Sequence, residues 1–127
     1  MHIDHITLRT AHLEETRDFM VRVFDLTAGS RPATIAANIK GYWLYFKDAP
    51  IVHLIESPYY NNELTDTATE AIDHAAFVMA DYEGFKQKLT ELGVHFSLMN
   101  LPDIGERRIF LRTPTGILLE TVFRERS

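Results

Sequence analysis

The stretch Ile3-Asp4-His5 at the beginning of the chain recurs as Ile72-Asp73-His74, 69 residues later. In a chain of 127 residues, a repeat at that offset covers nearly the whole sequence. A second pair of residues, His53 and Glu120, is separated by 67 residues, almost the same offset. Self-similarity at a fixed period indicates a duplicated structural unit. Each half of the chain therefore carries one potential metal ligand near its start and another near its end.

The composition favours a globular domain and argues against several classes of partner. Hydrophobic residues make up 46% of the chain. The length suits one domain, whereas each half of about 60 residues would be marginal on its own. We therefore predict a single domain, 1–127, whose halves share a core or a sheet. The net charge of −5 argues against a nucleic-acid binder and against an anionic-membrane binder.

Cysteine content and the lack of long apolar segments narrow the protein class further. The chain has no cysteine, which excludes disulfides, thiolate zinc sites and cysteine nucleophiles. No apolar run approaches the roughly 20 residues that a membrane-spanning helix needs, and no signal-like segment opens the sequence. We expect a cytoplasmic protein.

The sequence pattern of the first half, about 1–57, predicts several strands and one helix. Polar and apolar residues alternate over 3–9, which predicts a strand with His5, Thr7 and Arg9 on one face. The other elements follow from helical spacing, turn formers and aromatic runs. They are a helix over 12–24 with the stripe Leu13, Met20 and Phe24, a loop at Gly29 and Arg31-Pro32, and strands over 41–46 and 51–56 joined by a turn at 47–50.

The second half, about 72–127, repeats this order after a polar linker over 58–71. A helix is predicted over 81–92, with Asp81 as its N-cap and Gly93 just past its end. Its apolar stripe is Tyr82, Phe85, Leu89 and Leu92. Strands are predicted over 72–79, 94–99, 107–112 and 117–123, with a turn at 113–116. The prediction for the whole chain is an α+β fold of two βαβββ modules.

Two βαβββ modules with a histidine on the first strand of each resemble the vicinal oxygen chelate superfamily. That group includes glyoxalase I, methylmalonyl-CoA epimerase, the extradiol dioxygenases and the bleomycin-resistance proteins. The stretch 52–56 is similar to the strand that closes the family's first module. The stretch 112–120 is similar to the family's ending, in which Asp-Pro-x-Gly precedes a glutamate four residues beyond the glycine. Thr113 replaces that aspartate, and Asp25-Leu26 replaces a common Gly-Leu; both departures fall in turns.

The resemblance implies curved mixed sheets that enclose a metal-centred cavity. The ligands would be His5, His53, His74 and Glu120. Three imidazoles and one carboxylate suit a divalent Fe, Mn, Co, Ni or Zn ion. Strand alternation places Glu56 on the face opposite His53, although a single β-bulge would turn Glu56 inward.

An ordinary hydrogen-bonded histidine is the simpler interpretation of any one of these positions taken alone. That interpretation does not explain why four candidates occupy equivalent places in two repeats. Burying Glu120 between Leu118 and Val122 without a partner would also cost several kcal/mol. We therefore favour a metal site built from both halves.

Candidate substrate contacts lie on the predicted strands. Side chains on the face of His5 and aromatic residues of strand 41–46 could line a pocket, although an aromatic strand more often belongs to a core. An inward-facing arginine could bind a substrate carboxylate. The candidates are Thr7, Arg9, Trp43, Tyr45 and Arg108.

The sequence thus predicts a metal-dependent enzyme that chelates vicinal oxygens of a small-molecule substrate. In a lyase- or isomerase-like reaction, Glu120 would be a ligand and the possible catalytic base. One alternative is an Fe(II) extradiol-type dioxygenase. Another is a metal-free small-molecule binding protein like the bleomycin-resistance members. We expect a homodimer with no nucleic-acid or membrane partner.

Overall fold

The computed structural model describes residues 1–57, 72–114 and 117–124. The predicted linker and the middle of the predicted turn at 113–116 lie outside these residues. Within the described residues, no helix has both the length and the apolar character needed to cross a membrane. The chain divides into two compact units. We call His5–Asp73 the first unit, and Met1–Asp4 together with His74–Ser127 the second unit.

The first unit has a four-stranded mixed sheet in the order β2-β3-β4-β1. Strand β1 is parallel to β4, and β3 is antiparallel to both β2 and β4. The elements in chain order are β1 (His2–Thr10), α1 (Leu13–Phe24), β2 (Thr27–Gly29), α2 (Ala33–Asn38), β3 (Gly41–Phe46) and β4 (Ala49–Glu56).

The second unit has the same topology, with strand order β5-β8-β7-β6. Strand β5 is parallel to β8, and the other neighbours are antiparallel. Its elements are β5 (Ile72–Val78), α3 (Tyr82–Glu91), β6 (Phe96–Leu101), a short 3-10 helix (Pro102–Ile104), β7 (Glu106–Arg112) and β8 (Leu118–Arg124). The predicted α+β fold with two βαβββ modules is confirmed.

The predicted loop between the first helix and strand 41–46 contains two elements that the sequence did not indicate. They are the three-residue strand β2 and the six-residue helix α2. Neither is long enough to show a hydrophobic period, and only Ile35 of α2 is buried. The predicted turn at 47–50 is also shorter in the structure. Phe46 pairs directly with Ala49, so the turn consists of Lys47 and Asp48.

Each sheet packs one face against its helix. In the first unit, the core comprises Leu13, Leu26, Leu44, Val52 and Leu54. The predicted stripe of α1 is too long, because Phe24 is 55% exposed. The helix ends there at left-handed Asp25, and Leu26 enters the core instead. In the second unit, Tyr82 and Leu89 of α3 pack against Ile109 and Phe123, whereas Leu92 is exposed. These faces leave the opposite face of each sheet for the site.

The N-cap of α3 provides a local stability test. Asp81 has φ 65° and accepts a hydrogen bond from the backbone N–H of Gly84 at 3.1 Å. Asp81→Ala removes this cap and leaves a non-glycine residue in the left-handed region. We expect it to lower the free energy of unfolding by about 1–2 kcal/mol, measured by urea denaturation. Asp81→Asn keeps an acceptor and tolerates that φ, so equal losses for the two variants would contradict the capping role.

Candidate functional site

The second unit places His74 and Glu120 together on the sheet face opposite α3. Glu120 pairs with Ala76 of the parallel strand β5, so His74 is a diagonal neighbour two residues earlier. The distance from His74 Nε2 to Glu120 Oε2 is 3.1 Å. Glu120 is only 1% exposed. Two residues that the sequence predicted as ligands are therefore in contact, with Glu120 buried and His74 partly buried.

Arg108 on β7 binds the other oxygen of Glu120. Its Nη1 donates to Glu120 Oε1 at 2.9 Å, and its Nη2 donates to Glu106 Oε1 at 2.8 Å. All three side chains are buried, with Arg108 only 4% exposed. Buried charges persist when they are paired and hydrogen-bonded, and this arginine serves two carboxylates. Arg108 thus lies between Glu120 and Glu106, and its contact with a substrate stays a prediction.

The ion pairs continue to the N-terminal segment of the second unit. Arg124 Nε donates to Glu106 Oε2 at 3.0 Å, and Arg124 Nη2 donates to Asp4. Burial of Arg124 disfavours its charge, but Asp4 and Glu106 outweigh that effect and raise the pKa of Arg124. The result is a network of alternating acidic and basic groups: Asp4, Arg124, Glu106, Arg108, Glu120 and His74.

Sequence reasoning missed Glu106 and Arg124, although a signal was present. Residues 106 and 108 share a strand face and carry opposite charges, and residues 120 and 124 do the same on the neighbouring strand. Register pairs Glu106 with Arg124 and Arg108 with Val122. Opposite charges that face one another across strands predict an ion-pair ladder.

The first unit brings His5, His53 and Trp43 into one stack of rings. The ring centroids of His5 and His53 lie 3.6 Å apart, and the angle between the two ring planes is 17°. The Trp43 ring centroid lies 4.1 Å from that of His53, with an angle of 12° between the ring planes. All three side chains are buried. Because β4 lies between β3 and β1, His53 is the middle ring of this stack.

The orientation of His53 bears on its predicted role as a metal ligand. A ring nitrogen binds an ion that lies in the plane of the ring, at about 2.1 Å. Two nearly parallel rings 3.6 Å apart cannot both meet this condition for one ion. His53 Nε2 lies 3.1 Å from the carbonyl oxygen of Pro50, to which it can only donate, so this ring nitrogen is not available to an ion. In this arrangement the His53 ring packs against the His5 ring.

The remaining sequence candidates have protein partners. Arg9 donates to Asp73 through Nε at 2.9 Å and Nη2 at 2.6 Å. The hydroxyl of Tyr45 donates to the Ser30 carbonyl. Thr7 is buried next to His53 in register.

Glu56, the alternative carboxylate of the first half, is exposed while His53 is buried. The strand parity that favoured His53 over Glu56 as the inward-facing residue is thus seen in the structure.

An open pocket in the second unit shares Phe110 with the surroundings of His74. Its volume is about 600 Å³, and its lining includes Phe96, Phe110, Leu118 and Arg112. The Phe110 ring also meets the His74 imidazole edge to face, at 6.4 Å between centroids. A small molecule with an apolar portion could occupy this space, with Phe110 between it and His74.

Comparison with known proteins gives the superfamily whose sequence profile the chain matches. Residues 2–121 match the sequence profile of the Glyoxalase/Bleomycin resistance protein/Dioxygenase superfamily. No curated protein sequence matches the chain significantly.

Solved structures with the same fold include two epimerases and a dioxygenase. Methylmalonyl-CoA epimerase from Mycobacterium tuberculosis is 16% identical, with a TM-score of 0.71 over 98% of this chain and 89% of that chain. A Streptomyces coelicolor methylmalonyl-CoA epimerase variant, in complex with 2-nitronate-propionyl-CoA, is 20% identical, with a TM-score of 0.70 over 98% and 94%. The 2,3-dioxygenase LapB from Pseudomonas sp. KL28 is 19% identical, with a TM-score of 0.72 over 98% and 41%. At these identities the likeness shows the fold alone.

Proposed function

Because the chain belongs to the Glyoxalase/Bleomycin resistance protein/Dioxygenase superfamily, we propose that it is a metal-dependent enzyme. It would act on a small molecule through two adjacent oxygens of that molecule. The observation that carries this proposal is the contact between the partly buried His74 and the buried Glu120. Two donor atoms that bind one ion at about 2.1 Å and at a right angle lie about 3.0 Å apart. The observed 3.1 Å between Nε2 and Oε2 fits two such ligands.

We assign His5, His74 and Glu120 as the ligands. The support for His5 is its place in the repeat, since it occupies in the first half the position of His74 in the second. Two imidazoles and one carboxylate suit a divalent Fe, Mn, Co, Ni or Zn ion and leave positions open for water or substrate. The four-residue set expected from the sequence is thereby reduced to three, with His53 packed against His5.

The protein's own residues divide the remaining work. The ion, when bound, polarises the substrate oxygens and stabilises enolate-like charge. Glu120 is fixed by Arg108 and stays a ligand, so we no longer assign it the role of base. We assign that role to His53. Its Nε2–H donates to the Pro50 carbonyl, which leaves Nδ1 as the atom that accepts a proton. Removal of a proton next to a carbonyl gives a lyase- or isomerase-like reaction.

A second candidate function is an Fe(II) extradiol-type dioxygenase. The observation that favours it is the stacking of His53 on His5, which keeps His53 from sharing an ion with His5. A set of two histidines and one carboxylate is typical of non-haem Fe(II) oxygenases. In that reaction, His53 Nδ1 would take a proton from a catechol hydroxyl.

Fluorescence of Trp43, the single tryptophan, tests the metal site directly. Trp43 stacks on His53, which stacks on His5, so a paramagnetic ion at His5 should quench its emission. We expect Co(II) to quench wild type with saturation at one equivalent per chain. His74→Ala should abolish that saturation, whereas the exposed control His95→Ala should keep it. A wild-type protein without saturable quenching would support a metal-free binder instead.

Substitution of His53 separates a three-ligand site from a four-ligand site. Substitution of a residue that only orients a metal ligand typically lowers metal affinity by about 10–100-fold. We expect His53→Gln to stay within about tenfold of wild type, because its ring does not bind the ion. Once a substrate is identified, the kcat of the same variant should be at least about 100-fold below that of wild type, because general base catalysis contributes about that much. Loss of metal binding equal to that of His74→Ala would restore His53 as a ligand.

Metal identity separates the two reactions. Fe(II) in the purified protein, with oxygen consumption on catechols, would indicate a dioxygenase. Co, Ni, Zn or Mn without oxygen consumption would indicate lyase or isomerase chemistry. For either reaction we propose a homodimer. Mixing His5→Ala with His74→Ala shows how the site closes, since restored Co(II) binding in the mixture requires ligands from two chains.

A further inference from the structure

We propose that Arg108 is a positioning residue that restricts Glu120 to binding the ion through one oxygen, Oε2. This inference rests on the proposed function, because it concerns how Glu120 serves the ion. The two oxygens of Glu120 have different partners. Oε2 lies 3.1 Å from His74 Nε2, and Oε1 accepts a hydrogen bond from Arg108 Nη1 at 2.9 Å. Oε2 is thus the oxygen that lies beside His74, the second proposed ligand.

The guanidinium of Arg108 is itself fixed in place. Its second terminal nitrogen donates to Glu106 Oε1 at 2.8 Å, and Glu106 Oε2 accepts from Arg124 Nε at 3.0 Å. A planar fork that is hydrogen-bonded at both ends cannot rotate away from one carboxylate without breaking its bond to the other. Arg108 therefore holds Glu120 in one orientation.

The consequence concerns the coordination of the ion. A carboxylate can bind through one oxygen or through both, and Ca²⁺ sites use both in a shell of six to eight oxygens. Engagement of Oε1 by Arg108 keeps Glu120 to a single bond and favours the smaller shells of transition metals. Without Arg108, Oε1 loses its hydrogen bond to the guanidinium, so the coordination number should rise and the ligand should become less well oriented.

Co(II) binding measures this directly, since the intensity of the Co(II) d–d absorption falls as the number of coordinating atoms rises. We expect Arg108→Gln to lower that intensity and to weaken Co(II) affinity by about 10–100-fold, the range for residues that orient a metal ligand. Arg108→Lys keeps the charge but has no planar fork, so it should restore only part of both values. These measurements need no substrate.

Arg107→Gln is the matched control. Arg107 lies on the same strand but on the opposite face, with its guanidinium 3.9 Å from the Tyr82 ring centroid. Removal of this neighbouring guanidinium should leave both the Co(II) spectrum and the affinity at wild-type values. A change equal to that of Arg108→Gln would show a general effect of charge on strand β7 and would overturn the positioning role.

Failure of this inference is distinguishable from failure of the proposed function. If wild type binds no Co(II), the proposed metal site is wrong and the inference falls with it. If wild type binds Co(II) and Arg108→Gln has the same spectrum and affinity, only the positioning role is overturned. Should Arg108→Gln not fold, Glu106→Gln replaces it, because it loosens Arg108 without removing it. The same changes at smaller amplitude support the inference, and an unchanged spectrum overturns it.

Discussion

Glu120→Gln is expected to lose metal binding almost completely, with Co(II) affinity reduced by more than about 100-fold, beyond the range for residues that only orient a ligand. The amide keeps the size of the side chain but removes its charge. The neutral amide has a single oxygen, which cannot both bind the ion and accept the hydrogen bond from Arg108. Isothermal titration calorimetry with Co(II) measures the effect.

The same substitution should also destabilise the fold. Arg108 is buried between Glu120 and Glu106, so Glu120→Gln leaves it with one carboxylate. Removal of one partner from a buried ion pair costs about 3–5 kcal/mol, because the remaining charge stays desolvated. We expect urea denaturation to show a loss near that range in the absence of metal. Loss of metal binding without loss of stability would contradict the described pairing.

Glu56→Gln is the control for Glu120. Glu56 is the exposed carboxylate at the end of β4 and the only rival ligand in its strand. Its substitution should change neither Co(II) affinity nor unfolding free energy. The reverse pattern, with metal binding lost in Glu56→Gln and kept in Glu120→Gln, would show that Glu56 is the ligand and that the assignment of Glu120 is wrong.

Trp43→Ala is expected to lower the unfolding free energy by about 3–5 kcal/mol, as for other large-to-small changes in a core. Trp43 is buried and covers one side of His53, whose other side covers His5. Its loss leaves a cavity behind both imidazoles, so Co(II) affinity should fall as well. Circular dichroism in urea gives the stability, and calorimetry gives the affinity.

Two further variants show whether this effect belongs to the ring stack. Trp43→Phe keeps an aromatic ring over His53 and should recover most of the affinity. Phe46→Ala removes an exposed aromatic from the same strand and should cost at most about 0.5 kcal/mol. If Trp43→Ala destabilised the fold but left Co(II) affinity unchanged, the stack would be core packing alone.

Much of this arrangement follows from the sequence, because a duplicated strand position carries its side-chain direction with it. The repeat of Ile-Asp-His identified both modules and placed His5 and His74 at equivalent positions. Strand alternation selected His53 over Glu56 and placed Glu120 on the strand face of Leu118 and Val122. These inferences depend only on the period of a strand, which sequence displays directly.

The rest depends on side-chain orientation and on contacts between strands, which a period does not specify. Sequence alternation places His53 on an inward face but does not determine its ring plane or its bond to the Pro50 carbonyl. Likewise, the sequence does not show that Arg108 lies between Glu106 and Glu120; the register of β7 and β8 establishes it. Short elements such as α2 carry too few residues for a period to emerge.

The central claim is that one ion is bound by ligands from both halves of the repeat. Equilibrium dialysis of wild type, His5→Ala and His74→Ala against Co(II) tests it most directly. We predict one ion per chain for wild type and near-complete loss in each variant, although the two substitutions lie in different halves. Retention of the wild-type stoichiometry by either variant, or two ions per chain in wild type, would contradict a single shared site.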